Sequence, residues 1–138
     1  MILTDTGPLV ALLDKDDSHH AACIEASKHL PAAPLVTTWP CFTEAMYLLG
    51  AVGGYRYEAE LWKLLRDQKL FLLDLTQAEI VRANDFMEKY QNVPMDLADA
   101  SLVTIAEHRE FRRVFTIDSD FRVYRLADGT ALEIVPFS

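Results

Sequence analysis

The chain has 138 residues, 51% of them hydrophobic, with only 5 Gly and 6 Pro; this suits one packed domain over 1–138 and excludes a disordered or low-complexity protein. Its 13 Lys and Arg stand against 21 Asp and Glu, a net charge of -8, which by itself argues against a nucleic-acid partner because phosphate binding wants a basic face. No apolar run approaches the ~20 residues that span a bilayer, and the start Met1-Ile2-Leu3-Thr4-Asp5 lacks the regions of a signal peptide, so a cytoplasmic protein is expected.

Met1 to Asp5 reads as a short buried strand, followed by the turn residues Thr6-Gly7-Pro8 and a helical Leu9 to Leu13. Asp17 or Ser18 caps a helix running to about His29, which Pro31 and Pro34 stop. Leu35 to Thr38 is a second strand. Trp39-Pro40 then opens a helix through about Leu49, closed by Gly50, Gly53 and Gly54. Tyr57, Leu61, Leu64 and Leu65 recur at helical spacing over about 55–69. Phe71 to Leu75 is a third strand. Thr76, with Glu79 at capping-box spacing, starts a helix to about Tyr90. Pro94 precedes a helix from about Leu97 to His108, Arg113 to Ile117 is a fourth strand and Leu132 to Pro136 a fifth. Cys23 and Cys41 have neither CxxC spacing nor nearby His pairs and read as buried free thiols.

Strands alternating with helices imply an α/β domain, a mostly parallel sheet of about five strands with helices on both faces. Sites in such sheets lie beyond the carboxyl ends of the strands, at the topological switch point. Asp5 ends the first strand and Asp118 the fourth; each could also be an ordinary turn former. Glu44 shares a helical stripe with Cys41, Tyr47, Leu48 and Ala51, so it is expected to face inward, where a carboxylate needs a salt bridge or a cation. Asp99 shares a stripe with Leu102, Val103 and Ala106, and Asp96 lies about 60° round the same helix, as a further ligand or as its N-cap. Acids gathered from separate segments repel one another, and an all-oxygen set without His or Cys indicates a hard cation, Mg²⁺ or Mn²⁺. Such a site suits phosphodiester hydrolysis.

Four segments resemble one known family. They are Leu3-Thr4-Asp5-Thr6-Gly7-Pro8-Leu9, Thr43-Glu44-Ala45, Met95-Asp96-Leu97-Ala98-Asp99-Ala100-Ser101-Leu102-Val103 and Phe115-Thr116-Ile117-Asp118-Ser119-Asp120-Phe121. In order and spacing, across almost the whole chain, they resemble the PIN-domain ribonucleases, and within them the VapC-type toxins of VapBC toxin–antitoxin pairs. The resemblance implies a PIN-like three-layer sandwich and a Mg²⁺- or Mn²⁺-dependent endoribonuclease. It assigns Asp5, Glu44, Asp99 and Asp118 as the catalytic and metal-binding acids, with Asp96 as a further ligand or a helix cap. Thr6, Thr116 and Asp120 would orient ligands or waters from behind, Asp120 equally a turn former. It also implies a small VapB-like antitoxin and a homodimer. The stretch around Tyr55, Tyr57, Leu61, Trp62 and Leu65 is broad enough for an interface, or belongs to the core. An Arg of the inhibitor entering the acidic pocket would block it.

Arg109, Arg112, Arg113, Arg122 and Arg125 cluster near the fourth strand; Arg112 and Arg113 are the candidates for holding the RNA backbone, against a plain solvated face. His19 and His20 read as ordinary helix-start residues. A haloacid-dehalogenase-like phosphatase would want Asp-x-Asp after strand one, and Gly7 stands at the second position. A receiver domain would want adjacent acids there. A non-catalytic scaffold, or a PIN nuclease in RNA maturation, would share the fold and is separated by metal-dependent cleavage.

Overall fold

The protein is described by a computed structural model covering residues 1–135. Five short strands, β1 (Ile2–Thr4), β2 (Leu35–Thr38), β3 (Leu70–Leu73), β4 (Arg113–Phe115) and β5 (Glu133–Val135), form one sheet in the order β3-β2-β1-β4-β5. Every neighbouring pair is parallel. The connections carry α1 (Thr6–Leu13), α2 (His20–Lys28), α3 (Trp39–Gly53), α4 (Tyr55–Arg66), α5 (Gln77–Lys89) and α6 (Leu97–Arg109).

The strands' period of two explains the layers. Leu3, Val36 and Val114 point to one face, into a core shared with Phe86 of α5 and Leu102, Val103 and Ile105 of α6. Ile2 and Phe115 point to the other, against Ala11 of α1 and Cys23 and Ala26 of α2. Beside them Leu9, Phe42, Leu49, Leu61 and Leu70 join α1, α3 and α4 over the other half of that face. The expected α/β sandwich with helices on both faces is therefore the observed one. No described helix is long and apolar enough to cross a membrane.

Several boundaries differ from expectation, for local reasons. Helix α1 starts at Thr6 rather than Leu9: Asp5 caps it, and Pro8 lacks an N–H where the first turn needs none. The α2 cap is His19, not Asp17 or Ser18, because Asp17 Oδ1 instead accepts from the His19 amide at 2.8 Å and closes the preceding turn. Helix α3 continues through Gly53, a turn past Leu49, and ends at Gly54, whose φ of 68° suits glycine. Helix α4 stops at Arg66, before 69, and β3 and β4 end at Leu73 and Phe115. The 3₁₀ turn Ser119–Arg122 was not foreseen. Pro136, expected in the fifth strand, lies outside the described residues.

The capping box expected at Thr76 and Glu79 forms and opens α5, and the structure shows a second at Asp96 and Asp99, opening α6. The chain leaves β1 toward β2 on one side, while β4 lies on the other, so the switch point falls between β1 and β4.

Candidate active site

Asp5 and Asp118 stand on either side of that switch point. The end of β1 is pinned by the Asp5 amide donating to the Phe115 carbonyl at 2.9 Å and the Thr37 hydroxyl donating to the Thr4 carbonyl at 2.7 Å. Asp5 is the N-cap of α1: Oδ1 accepts from the Thr6 amide at 2.8 Å and Oδ2 from the Thr116 hydroxyl at 2.8 Å. Thr116 Oγ1 also accepts from the Asp118 amide at 3.0 Å, so one hydroxyl sets two acids. Asp118 Oδ1 accepts from the Asp120 amide at 2.9 Å, which holds the 3₁₀ turn.

Asp99 comes from the other side, at the third position of α6. Its amide donates to Asp96 Oδ1 at 2.8 Å, and its Oδ2 accepts from the Tyr124 hydroxyl at 3.2 Å. Carboxylate oxygens of Asp5, Asp99 and Asp118 all lie within 4.8 Å of one another. Burial pushes the Asp5 carboxyl up to about 6, with the Thr116 and Thr6 hydrogen bonds opposing and Asp118 and Asp96 adding repulsion. Burial, then Asp96 and Asp5, push Asp99 upward as well.

Among the described residues, no Lys, Arg or His pairs with any of the three. Three carboxylates held this close without a basic partner fit a divalent cation: the donors are hard oxygens, and their mutual repulsion is what such an ion relieves. Thr116→Val is expected to weaken Mn²⁺ binding about 10- to 100-fold while costing roughly 1–2 kcal/mol of stability. Unchanged Mn²⁺ affinity in calorimetric titration would remove Thr116 from the site.

The other candidates divide. Glu44 does not face inward as expected. Helix α3 buries Cys41, Phe42, Ala45 and Leu49, whereas Glu44 is exposed and Tyr47 is 74% exposed, because the core claims the stripe one residue further round. Glu44 lies one turn past Cys41, whose thiol sits 4.0 Å from Asp5 Oδ1, but it is exposed and is not one of the three acids whose oxygens meet. Asp96 is exposed and caps α6. The Thr6 hydroxyl donates to the Cys41 carbonyl at 3.4 Å, tying α1 to α3, and only its amide touches an acid. Asp120 contributes its amide to Asp118.

Arg112 and Arg113 lie at the start of β4, roughly 15 Å of extended chain before Asp118 and at the opposite edge of the sheet. There Arg112 pairs with Asp128 at 3.4 Å, both groups exposed. A role in holding RNA at the acids does not follow from that placement. Arg109 is also withdrawn, clasped to buried Glu79. Cys41 is the buried free thiol expected, whereas the part played by Tyr124 was not foreseen. Tyr124 stands 25 residues from Asp99, and only the packing of its ring on Phe121 and Tyr90 brings the hydroxyl there. The expected apolar breadth of α4 proves mixed: Leu61 is core, whereas Tyr55 is 72% and Trp62 40% exposed.

Comparison with known proteins agrees with this geometry. A curated relative, ribonuclease VapC26 of Mycobacterium tuberculosis, is 29% identical over 139 residues, covering 98% of this chain and all of the relative. The fold is similar to the M. tuberculosis toxin VapC20, described as cleaving the sarcin-ricin loop, with a TM-score of 0.82 at 16% identity over 89% of this chain and 94% of that one. It is also similar to a toxin–antitoxin complex from Klebsiella pneumoniae, with a TM-score of 0.63 at 19% identity over 88% of this chain and 90% of that one. Residues 2–126 match the PIN domain family, and with the acids of β1, α6 and the β4 end converging as described, the chain belongs to that family.

Proposed function

We propose that this protein is a metal-dependent endoribonuclease that hydrolyses RNA phosphodiester bonds in the cytoplasm, as the toxin of a type II toxin–antitoxin pair, with 1–138 forming one PIN domain. The observation that carries this reading is the convergence of Asp5, Asp99 and Asp118 at the switch point of a PIN-family sheet. The name of the ribonuclease relative supports the choice of RNA, and the toxin–antitoxin complex among the structural relatives supports the partner.

In this reading Asp5, Asp99 and Asp118 hold Mg²⁺ or Mn²⁺, and Glu44 is the fourth acid that the family resemblance assigns. When bound, such a cation supplies positive charge at the phosphate and acidifies water. The chain's own groups prepare the site. Thr116 orients Asp5 and fixes the Asp118 backbone, Asp96 caps α6 so that Asp99 is held at its first turn, and the Tyr124 hydroxyl donates to Asp99. The Cys41 thiol, pushed up to about 12 by burial, stays protonated and adds no negative charge beside Asp5. The net charge of -8 ceases to oppose RNA binding once the acids carry a cation.

The antitoxin and dimer surfaces are assigned to the α3–α4 pair, where Tyr47, Leu48, Val52, Tyr55 and Trp62 are at least 40% exposed. The deciding experiment is cleavage of a mixed tRNA and rRNA pool by the purified protein with Mg²⁺ or Mn²⁺ and with EDTA. Cleavage that requires the metal is expected. A folded, Mn²⁺-binding protein that leaves every RNA intact and does not arrest growth on expression would favour a scaffold.

A further inference from the structure

A cavity of about 280 Å³ opens beside the acids, between the start of α2 and the segment leaving β4. It lies just under the lower end of ligand pockets, ~300 Å³, and so suits one nucleobase with its sugar rather than a longer ligand. Asp118 belongs both to its lining and to the acidic cluster, so whatever fills it adjoins the position of the reacting phosphate. Its lining includes the apolar Ala22, Ile117 and Ile134 together with His19 and Arg122. These are the two kinds of group that recognise an unpaired nucleotide: an imidazole stacks on a base, and a guanidinium pairs with a phosphate or stacks as well.

Arg122 is uncommitted, as is exposed Arg113 at the amino end of β4, whereas the other nearby arginines are held. Arg82 is held by Glu107, Arg109 by Glu79 and Arg112 by Asp128. Arg125 donates to the carbonyls of Arg122 and Tyr124. The Arg122 side chain is exposed and makes no ion pair or hydrogen bond among the described residues. A free guanidinium in the cavity that contains Asp118 is a positive charge where an acid-rich protein must receive a polyanion.

We infer that this cavity is a subsite for the single-stranded nucleotide flanking the scissile phosphate, with Arg122 on its phosphate, His19 on its base and Ile117 beneath it. The inference rests on the ribonuclease reading and names a recognition element of that site.

The test uses the full chain with Arg122→Ala, His19→Ala and Ala22→Trp, the last filling the cavity from an exposed helix position, and Arg112→Ala as the distant control. Three quantities are read: binding of fluorescent single-stranded RNA octamers in Ca²⁺, cleavage of RNA in Mn²⁺, and hydrolysis of bis(p-nitrophenyl) phosphate, which has no base to place. Arg122→Ala and Ala22→Trp are expected to weaken octamer binding and RNA kcat/KM about 10-fold, with hydrolysis of the small diester unchanged. Arg122→Ala should also lower the slope of log Kd against log salt by about 0.7, one single-strand phosphate contact. Arg112→Ala should match the wild type. RNA binding and cleavage at wild-type levels in both Arg122→Ala and Ala22→Trp would overturn the subsite and leave the ribonuclease standing. A wild-type protein that binds no octamer and hydrolyses neither substrate would overturn the ribonuclease reading, and the subsite with it.

Discussion

Asp5→Asn is expected to abolish RNA cleavage, by on the order of 10³-fold or more, and in EDTA at neutral pH to make the fold more stable. Both effects come from one arrangement. The Asp5 carboxyl is buried, accepts from Thr6 and Thr116, and lies within 4.8 Å of Asp99 and Asp118. Its folded pKa of about 6 exceeds the ordinary 3.8, so between those values the folded state holds more protons than the unfolded one. Stability therefore falls as pH rises from about 4 through 6 and stays low above, by up to roughly 3 kcal/mol at ~1.4 kcal/mol per pH unit. Asn keeps an oxygen for the Thr6 amide, loses the bond that Asp5 accepts from the Thr116 hydroxyl at a cost of about 1 kcal/mol, and removes the charge and with it the Asp5 share of that limb. Melting curves in EDTA at pH 4.5 and pH 8 for both proteins supply the check. Mg²⁺ should raise the melting temperature of the wild type at pH 8 and leave the variant unmoved. A variant that melts lower than the wild type in EDTA at pH 8, or that still cleaves, would sink this account of the acidic cluster.

The second large effect lies far from the acids. Glu79 is 3% exposed; its Oε2 accepts from Arg109 Nε at 3.1 Å, and its Oε1 accepts from an Arg109 Nη at 2.8 Å and from the Thr76 amide at 2.8 Å. This clasp joins the first turn of α5 to the last turn of α6, and Arg82 with Glu107 repeats it one turn along. Glu79→Ala leaves a half-buried guanidinium without its partner and α5 without half of its capping box. The expected cost is about 2–3 kcal/mol, below the usual range for a broken buried pair because Arg109 remains partly wet. That corresponds to a melting temperature lower by roughly 10 °C. The sign with pH is opposite to that of Asp5. Arg109 holds the Glu79 carboxyl down at about 2 against an ordinary 4.5, so its stabilisation is complete above 4.5 and lost as pH falls toward 2. The metal-free wild type should therefore be most stable near pH 4–5, squeezed by Glu79 below and by Asp5 and Asp99 above. Glu79→Ala should flatten the acid limb and leave Mn²⁺ affinity unchanged, since Asp99 sits at the far end of α6. An acid limb as steep as the wild type's would show that the clasp does not carry it.

Segment-level features were legible because they are local. Alternating strands and helices implied a parallel sheet between helix layers, and the Thr76–Glu79 capping box could be read from spacing alone. Asp5 and Asp118 were legible as carboxylates at strand ends, and Asp99 as one on a helix wholly buried from Ala98 to Ala106. Rotational phase was harder to read. In α3 the stripe through Cys41, Glu44 and Tyr47 and the stripe through Cys41, Phe42 and Ala45 are both apolar enough to be core, and packing against α1 and α4 chose the second.

Sequence by itself thus determined the class of fold, the capping box of α5 and three acids at strand ends and on a buried helix, because hydrophobic period, capping spacing and residue type reside in short stretches of chain. Tertiary structure decided what depends on distance between segments. It tied up Arg109, brought the Tyr124 hydroxyl to Asp99 and left Arg122 free in a cavity beside Asp118. The physical reason is that which side chains meet depends on strand order and helix packing between distant segments, which no short stretch of chain encodes.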